Sequence, residues 1–288
     1  MASSAAPRPR RTPGRGRQRG VVFVVTLVVA VIVIFPVYWM VVGSLLPTSI
    51  TLSTDPPLIP TDGFTLQAYV QNLTERPVGR WMLNSLIVTA AVSLISLVIS
   101  LFAGYSLSRF RGVGPTSMGY TLLLARMLPG TMLSIPLFVV FSQLGLIDNM
   151  ASLILADITV TVPFTTWMLK NFVDSVPREL EEAAVIDGCS RLGAIVRVVL
   201  PLTLPGLGAT AVYASILSWS DLLFARTLIT EPDGWTLPVG VMSFAGAHDI
   251  DWSGMLAAGT VSMIPMVVLF VLLEPFLVRG LTSGATKG

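Results

Sequence analysis

The chain has 288 residues, of which 53% are apolar and only 12% charged, with a mean hydropathy of +0.78 and a net charge of +2. A soluble domain carries roughly 25% charged residues, so this chain lacks the polar skin of a water-facing globule and its solvent must be lipid. One Cys excludes an internal disulfide framework and a cysteine-based zinc site, and one His, His248, leaves no histidine cluster for metal or triad chemistry.

Residues 1–20 hold six Arg, several Pro and Gly interruptions and no acid. They are expected to form a disordered basic cytosolic tail beside anionic lipid. Residues 21–42 run 22 positions without a charge or a small-residue cleavage site, which suits a retained first span. Residues 43–80 are polar and proline-rich, an external loop. Residues 81–107 read as the second span, on which Ser96, Ser100 and Gly104 recur at fours as a stripe for close helix packing. Arg109 and Arg111 close it. The third span, 118–141, is interrupted by Arg126, Pro129, Gly130 and Pro136, and the fourth, 151–169, contains Asp157 and Pro163. A charged segment, 174–201, follows. Residues 202–224 form the fifth span with Asp221 at its far end, and 226–254 a second external loop with Trp235, Phe244 and Trp252. Residues 255–278 form the sixth span and 279–288 a cytosolic tail.

Six spans put both termini on one side, and the basic residues choose the side. With the termini in the cytosol, fourteen Lys and Arg lie inside and three (Arg76, Arg80, Arg226) outside, with Arg126 at membrane depth. That asymmetry places the charged segment in the cytosol.

Within it, Ser175 and Pro177 are helix-start signals, and Glu179, Glu181 and Glu182 load the first turns with negative charge. Leu180, Ala183 and Ala184 then share a face. Gly188 is a stop, because the left-handed conformation that follows many helices is cheap only for Gly. Ser190 can cap a second helix carrying a stripe of Leu192, Ile195, Val196 and Val199, which Leu200-Pro201 ends. As pattern alone this is a helical hairpin between spans, either a plain surface connection or a lever. No G-x-x-x-x-G-K-[ST] phosphate loop occurs, so the chain does not hydrolyse ATP by that chemistry.

The residues Glu182-Ala183-Ala184, three residues, Gly188, nine residues, Val198, one residue and Leu200-Pro201 resemble the EAA loop of ABC-importer permeases. The flanking Leu169-Lys170-Asn171-Phe172 and Trp219-Ser220-Asp221, and the ending 280–288, are similar to the maltose-transporter-type carbohydrate permeases. Cys189, Ile195 and Val198 depart from that pattern by apolar exchanges. The resemblance implies a type I ABC importer permease fold: an all-α integral inner-membrane protein with six transmembrane helices and cytosolic termini. It implies that Glu182, Ala183, Ala184, Asp187, Gly188, Leu200 and Pro201 couple to an ATPase subunit, with Lys287 and Gly288 as a C-terminal contact. The partners it implies are a second, homologous permease chain, two ATPase subunits, an external solute-binding protein and the lipid membrane, with no nucleic acid. ATP and Mg would sit on the ATPase, no cofactor on this chain, and the solute would be a sugar, oligosaccharide, amino sugar or glycerol-phosphate compound.

Arg126, Asp157 and Asp221 are the ionisable groups at or near membrane depth. A charge there costs at least ~2.5 kcal/mol, so such groups face a cavity, a partner or an interface. They are candidates for the translocation path or for a structural ion pair, and Arg126 is expected to face the protein interior. The alternative function, an ion-gradient-driven secondary transporter, would need a clustered ion site and repeated halves. A membrane enzyme would need a catalytic set, and the sequence shows none.

Overall fold

A computed structural model describes residues 15–61, 63–246 and 250–285, with side chains resolved for 19–61, 63–246 and 250–276. The basic tail up to residue 14, His248, Lys287 and Gly288 lie outside the described residues.

Among the described residues the regular structure is helical apart from one isolated bridge, Ala245 to Ile250. α1 (Arg15–Ser44) is followed by a short α2 (Thr48–Thr51) and α3 (Gln67–Thr74). Then come α4 (Val78–Arg109), α5 (Val113–Met127), α6 (Gly130–Gln143) and α7 (Met150–Asp174). The charged segment holds α8 (Arg178–Ile186), α9 (Arg191–Ala194), a π-helical turn over Ile195–Val199 and α10 (Leu200–Leu202). The chain continues through α11 (Leu204–Trp219), α12 (Leu223–Leu228), α13 (Leu237–Met242) and α14 (Trp252–Ala285).

Four of these helices are long and apolar enough to cross a membrane by themselves, and six spans result if each of two bent pairs counts as one. The rest of the chain buries none of the apolar stretch of α1, against 39% for α4 and 50% for α7. The core is therefore α4 against α7, with α11 beside them. Small residues let α4 and α7 approach: a Cβ on Gly104 would fall 2.8 Å from the Lys170 nitrogen, and Ser100 Oγ lies 2.6 Å from Thr165 Oγ1. The stripe read from the sequence faces this crossing.

The segment expected as one span over 118–141 is two helices meeting at 101°. Leu128, between them, is extended (φ −75°, ψ 122°), as the ring of Pro129 requires of the residue before it. The fifth segment is likewise bent, by 78°, between Arg191–Leu202 and Leu204–Trp219. At the other end, α14 runs helical to Ala285, past the expected end at 278.

Candidate functional site

The charged segment folds as the hairpin that its local chemistry dictates. α8 ends in a Schellman motif: Cys189 N–H donates to Ala184 O at 2.9 Å and Gly188 N–H to Val185 O at 3.0 Å. Gly188 sits at φ +91° with open space around it, so glycine is needed for its backbone and not for room. Ser190 then caps the second arm, accepting from Gly193 N–H at 3.1 Å.

The second arm does not end at Leu200-Pro201 but runs on through Leu202. Pro201 has no N–H to give to the carbonyl four residues earlier. The helix widens before it, and Leu200 N–H reaches back to Ile195 O, five residues away, which makes Ile195–Val199 a π turn. The widening splits the expected stripe: Ile195 and Val199 are buried, while Leu192 and Val196 are exposed.

The packing of the hairpin's first arm is inverted relative to a soluble amphipathic helix. Its inward anchor is a carboxylate. Glu181 is buried and its Oε1 accepts from Arg109 Nε at 2.7 Å and Nη2 at 2.5 Å, while Tyr105 Oη donates to Oε2 at 2.9 Å. Arg109 Nη2 also donates to Val176 O at 2.8 Å. Around this pair Ser108 Oγ donates to Asp174 Oδ1 at 2.5 Å, Lys170 Nζ holds Asp174 Oδ2 at 2.6 Å, and Arg178 Nη2 donates to Ser108 O at 2.9 Å. The end of α4 is thus tied to the end of α7 and to α8. Facing outward are apolar side chains instead: Leu180, Val185, Leu192, Val196 and above all Ile186, 85% exposed at the corner. Beside these contacts, an open cleft of about 540 Å³ is lined by both arms of the hairpin and the end of α4.

Of the residues expected to couple, Glu182, Ala183, Asp187, Gly188 and Pro201 are exposed on this surface, and Ala184 and Leu200 are half-buried. The sequence pattern missed Glu181, Arg109 and Tyr105. It placed Leu180 on one face with Ala183 and Ala184 but did not show which way that face turns; Leu180 points out and Glu181 points in.

The three membrane-depth charges separate. Arg126 is exposed at the break between α5 and α6, and no acid pairs with it among the described residues; its guanidinium lies 3.7 Å over the ring of Phe164, which in turn sits 4.3 Å from Tyr213. Arg126, expected to face the protein interior, is thus an exposed residue of this chain laid on the ring of Phe164 in α7. Asp157 and Asp221 do come together, lining one cavity of about 370 Å³. Ser218 Oγ donates to Asp157 Oδ2 at 2.7 Å, and Asp221 caps α12 by accepting from Ala225 N–H at 2.9 Å and Phe224 N–H at 3.3 Å.

Residues 96–283 match the family described as binding-protein-dependent transport system inner membrane component. Similar curated proteins include the diacetylchitobiose uptake system permease protein DasC of Streptomyces coelicolor, 36% identical over 92% of this chain and 96% of that one. The inner membrane ABC transporter permease protein YcjP of Escherichia coli is 34% identical over 90% and 92%. The trehalose/maltose transport system permease protein MalG of Thermococcus litoralis is 32% identical over 91% and 94%. Among solved structures, a bacterial ABC transporter involved in importing the acidic polysaccharide alginate aligns with a TM-score of 0.79 at 20% identity, covering 94% of this chain and all of that one. A second structure of such a transporter, with an alginate pentasaccharide-bound periplasmic protein, aligns at 0.64 and 15% identity over 91% and 95%. At those identities the two structures speak for the fold.

Proposed function

The chain belongs to the binding-protein-dependent transport system inner membrane component family, and from that premise we propose how its hairpin and helices work as one half of a transport path. It is a multi-pass inner-membrane permease subunit of an ABC importer. Its solute is a carbohydrate-like compound, a reading supported by the names of relatives that span nearly its whole length. Ion-gradient-driven transport loses to this reading.

The observation that carries the coupling role is the inversion of the hairpin. A buried Glu181–Arg109 pair fixes it to α4, while Ile186 and its apolar neighbours stand exposed around Glu182, Asp187 and Gly188. An exposed apolar patch with a polar rim marks a docking surface for protein. The partner is an ATPase subunit, two of which serve the complex, each binding ATP and Mg; this chain binds no cofactor and is not itself an enzyme. Because one chain supplies one hairpin, a second, homologous permease completes the path, and an external solute-binding protein delivers the solute. The basic-residue asymmetry supports cytosolic termini and a cytosolic hairpin, with Lys287 and Gly288 reaching the ATPase as well. Closure of the ATPase pair tilts the hairpin, the Glu181–Arg109 joint passes the tilt to α4, and α4 moves the α7 and α11 surfaces that line the path. Arg126, Asp157 and Asp221 lie along that path.

The test is purification of the whole complex carrying Ile186→Asp. Docking through this surface predicts loss of ATPase subunits from an otherwise normally inserted permease. A full ATPase complement with normal solute-stimulated hydrolysis sinks the assignment.

A further inference from the structure

The cavity shared by Asp157 and Asp221 carries one more step, which rests on the carbohydrate reading above. It lies between α7, the end of α11 and the start of α12, and its volume of about 370 Å³ falls within the roughly 300–1,000 Å³ of small-molecule sites. Its lining is mostly apolar but holds two acids. Asp157 is 2% exposed, and Asp221 adds a second carboxylate. Among the described residues no Lys or Arg stands within ion-pair distance of either.

A second observation, independent of the acids, points to a missing guest. Thr161, one turn along α7 from Asp157, is fully buried and lines the same cavity, yet its Oγ1 has no hydrogen-bond partner. A buried hydroxyl without a partner is costly and rare. The Asp157 carboxylate is only partly used by Ser218, and the Asp221 carboxylate is held in place by the backbone of α12 rather than by a cation. Two fixed carboxylates and two hydroxyls suit a molecule that donates several hydrogen bonds from neighbouring oxygens or from an ammonium.

We propose that this cavity is a way-station for the transported solute, accepting the hydroxyl groups of an uncharged or amino-bearing saccharide and refusing a carboxylated or sulfonated one. The carboxylates accept from paired sugar hydroxyls, and Thr161 and Ser218 donate to or accept from a third. An anionic sugar would bring like charge against the negative charge shared by the Asp157–Asp221 pair, with no basic side chain to offset it, in a place where water screens little.

The single native cysteine makes the test clean. In a Cys189→Ala background, Thr161→Cys is close to isosteric and places a thiol on the cavity wall; Ser218→Cys is the second position. The probes are a cationic trimethylammonioethyl and an anionic sulfonatoethyl methanethiosulfonate, applied to the complete reconstituted transporter during ATP turnover. The field of the acid pair should make the cationic reagent react at least about tenfold faster, and Asp221→Asn, which lets the remaining acid hold its proton, should bring the two rates together. Equal rates, or no reaction at either position, overturn the proposal. Neutral disaccharides (maltose, trehalose, cellobiose, chitobiose) are then supplied with the binding protein. A transported one should slow modification at least about twofold by occupancy. A sugar that is transported without protecting the thiol overturns the way-station and leaves the carbohydrate reading standing. If the parent transporter imports a non-carbohydrate solute and none of these sugars, the carbohydrate reading fails, and the way-station as a saccharide site fails with it, even where the charge preference is present.

Discussion

Helix α4 holds a segment at each of its ends, and it does so by opposite means. At the hairpin end the grip is charged: Arg109 and Tyr105 close on the buried Glu181 carboxylate. At the other end the one ion pair to the loop, Arg80 to Asp233 at 2.9 Å, lies exposed in solvent, and the buried part of the grip is neutral. Trp81 Nε1 donates to Pro232 O at 3.0 Å, Asn84 Nδ2 to Asp233 O at 3.0 Å and Trp235 O at 2.9 Å, and Ser85 Oγ accepts from Leu237 N–H at 2.8 Å. Trp81 is also closed on by the backbone of Gly240, where a Cβ would fall 2.0 Å from the indole. Under the proposed coupling role, the difference follows from what each joint must do. A fork of donors on one carboxylate keeps its direction when the hairpin is pushed, because leaving Glu181 or Arg109 unpaired in a dry site is expensive. The neutral joint fixes a loop to a helix end and has no displacement to pass on.

The comparison breaks most visibly at the charged joint. Glu181→Ala strands the Arg109 guanidinium, and removing one member of a buried pair costs about 3–5 kcal/mol. Uptake by the reconstituted complex should fall more than about tenfold, with Glu181→Gln intermediate because Tyr105 and one arm of Arg109 keep a partner. Normal uptake by Glu181→Ala would mean that α4 does not receive the hairpin's motion. Gly188→Val acts one step further out. It forces a β-branched residue to φ +91°, at roughly 1–2 kcal/mol, so ATPase recruitment should weaken by about tenfold while the membrane helices still insert. Unchanged subunit stoichiometry and stimulated hydrolysis would remove the corner from the coupling surface.

These residues differ in how far the sequence reveals them. Gly188 and Ser190 were legible because a Schellman ending and an N-cap are decided within a few residues of chain. The Ser100 and Gly104 stripe was legible because spacing at fours sets a helix face. Glu181 was not. Three acids stand within four positions, and which of them turns inward depends on Arg109, 72 residues away. The stripe of the second arm failed because Pro201 widens the helix by one residue before it, which a fixed 3.6 period does not anticipate. The break at Leu128 was marked by Pro129, yet continuous apolar sequence on both sides reads as one span. Asp157 and Asp221 were picked out singly for their cost in lipid, and only the packing of α7 and α11 brings them to one cavity, with Arg126 left apart on Phe164.

At the neutral joint the expected effect is smaller and of another kind. Asn84→Ala removes both donors to the loop and leaves the Asp233 and Trp235 carbonyls short of a partner, at about 1–3 kcal/mol. The complex should melt a few degrees lower, with ATPase recruitment unchanged and uptake per hydrolysed ATP near normal. Uncoupled hydrolysis in Asn84→Ala would show that the loop joint transmits motion too, and the contrast between the ends of α4 would collapse.

The smallest effect belongs to Asp148, which clasps the same loop region from the turn between α6 and α7. Its carboxylate accepts from Thr230 N–H at 2.5 Å, from Thr230 Oγ1 at 2.7 Å and 2.9 Å, and from Glu231 N–H at 2.9 Å. The Glu231 backbone donor, then the Thr230 hydroxyl, hold it below its ordinary value of 3.8. A carboxylate depressed in the folded state stabilises that state fully above its unfolded value, and the contribution disappears as pH falls through the lower folded one. Asp148 sits at φ 61°, which Asn tolerates nearly as well as Asp, so Asp148→Asn removes the charge and keeps the turn. Amide exchange at Thr230 and Glu231 should therefore be faster in Asp148→Asn than in the parent at pH 6, and the gap should narrow below about pH 4 as the parent's own carboxylate is protonated. A gap that persists unchanged to pH 3 would show that shape rather than charge closes the clasp.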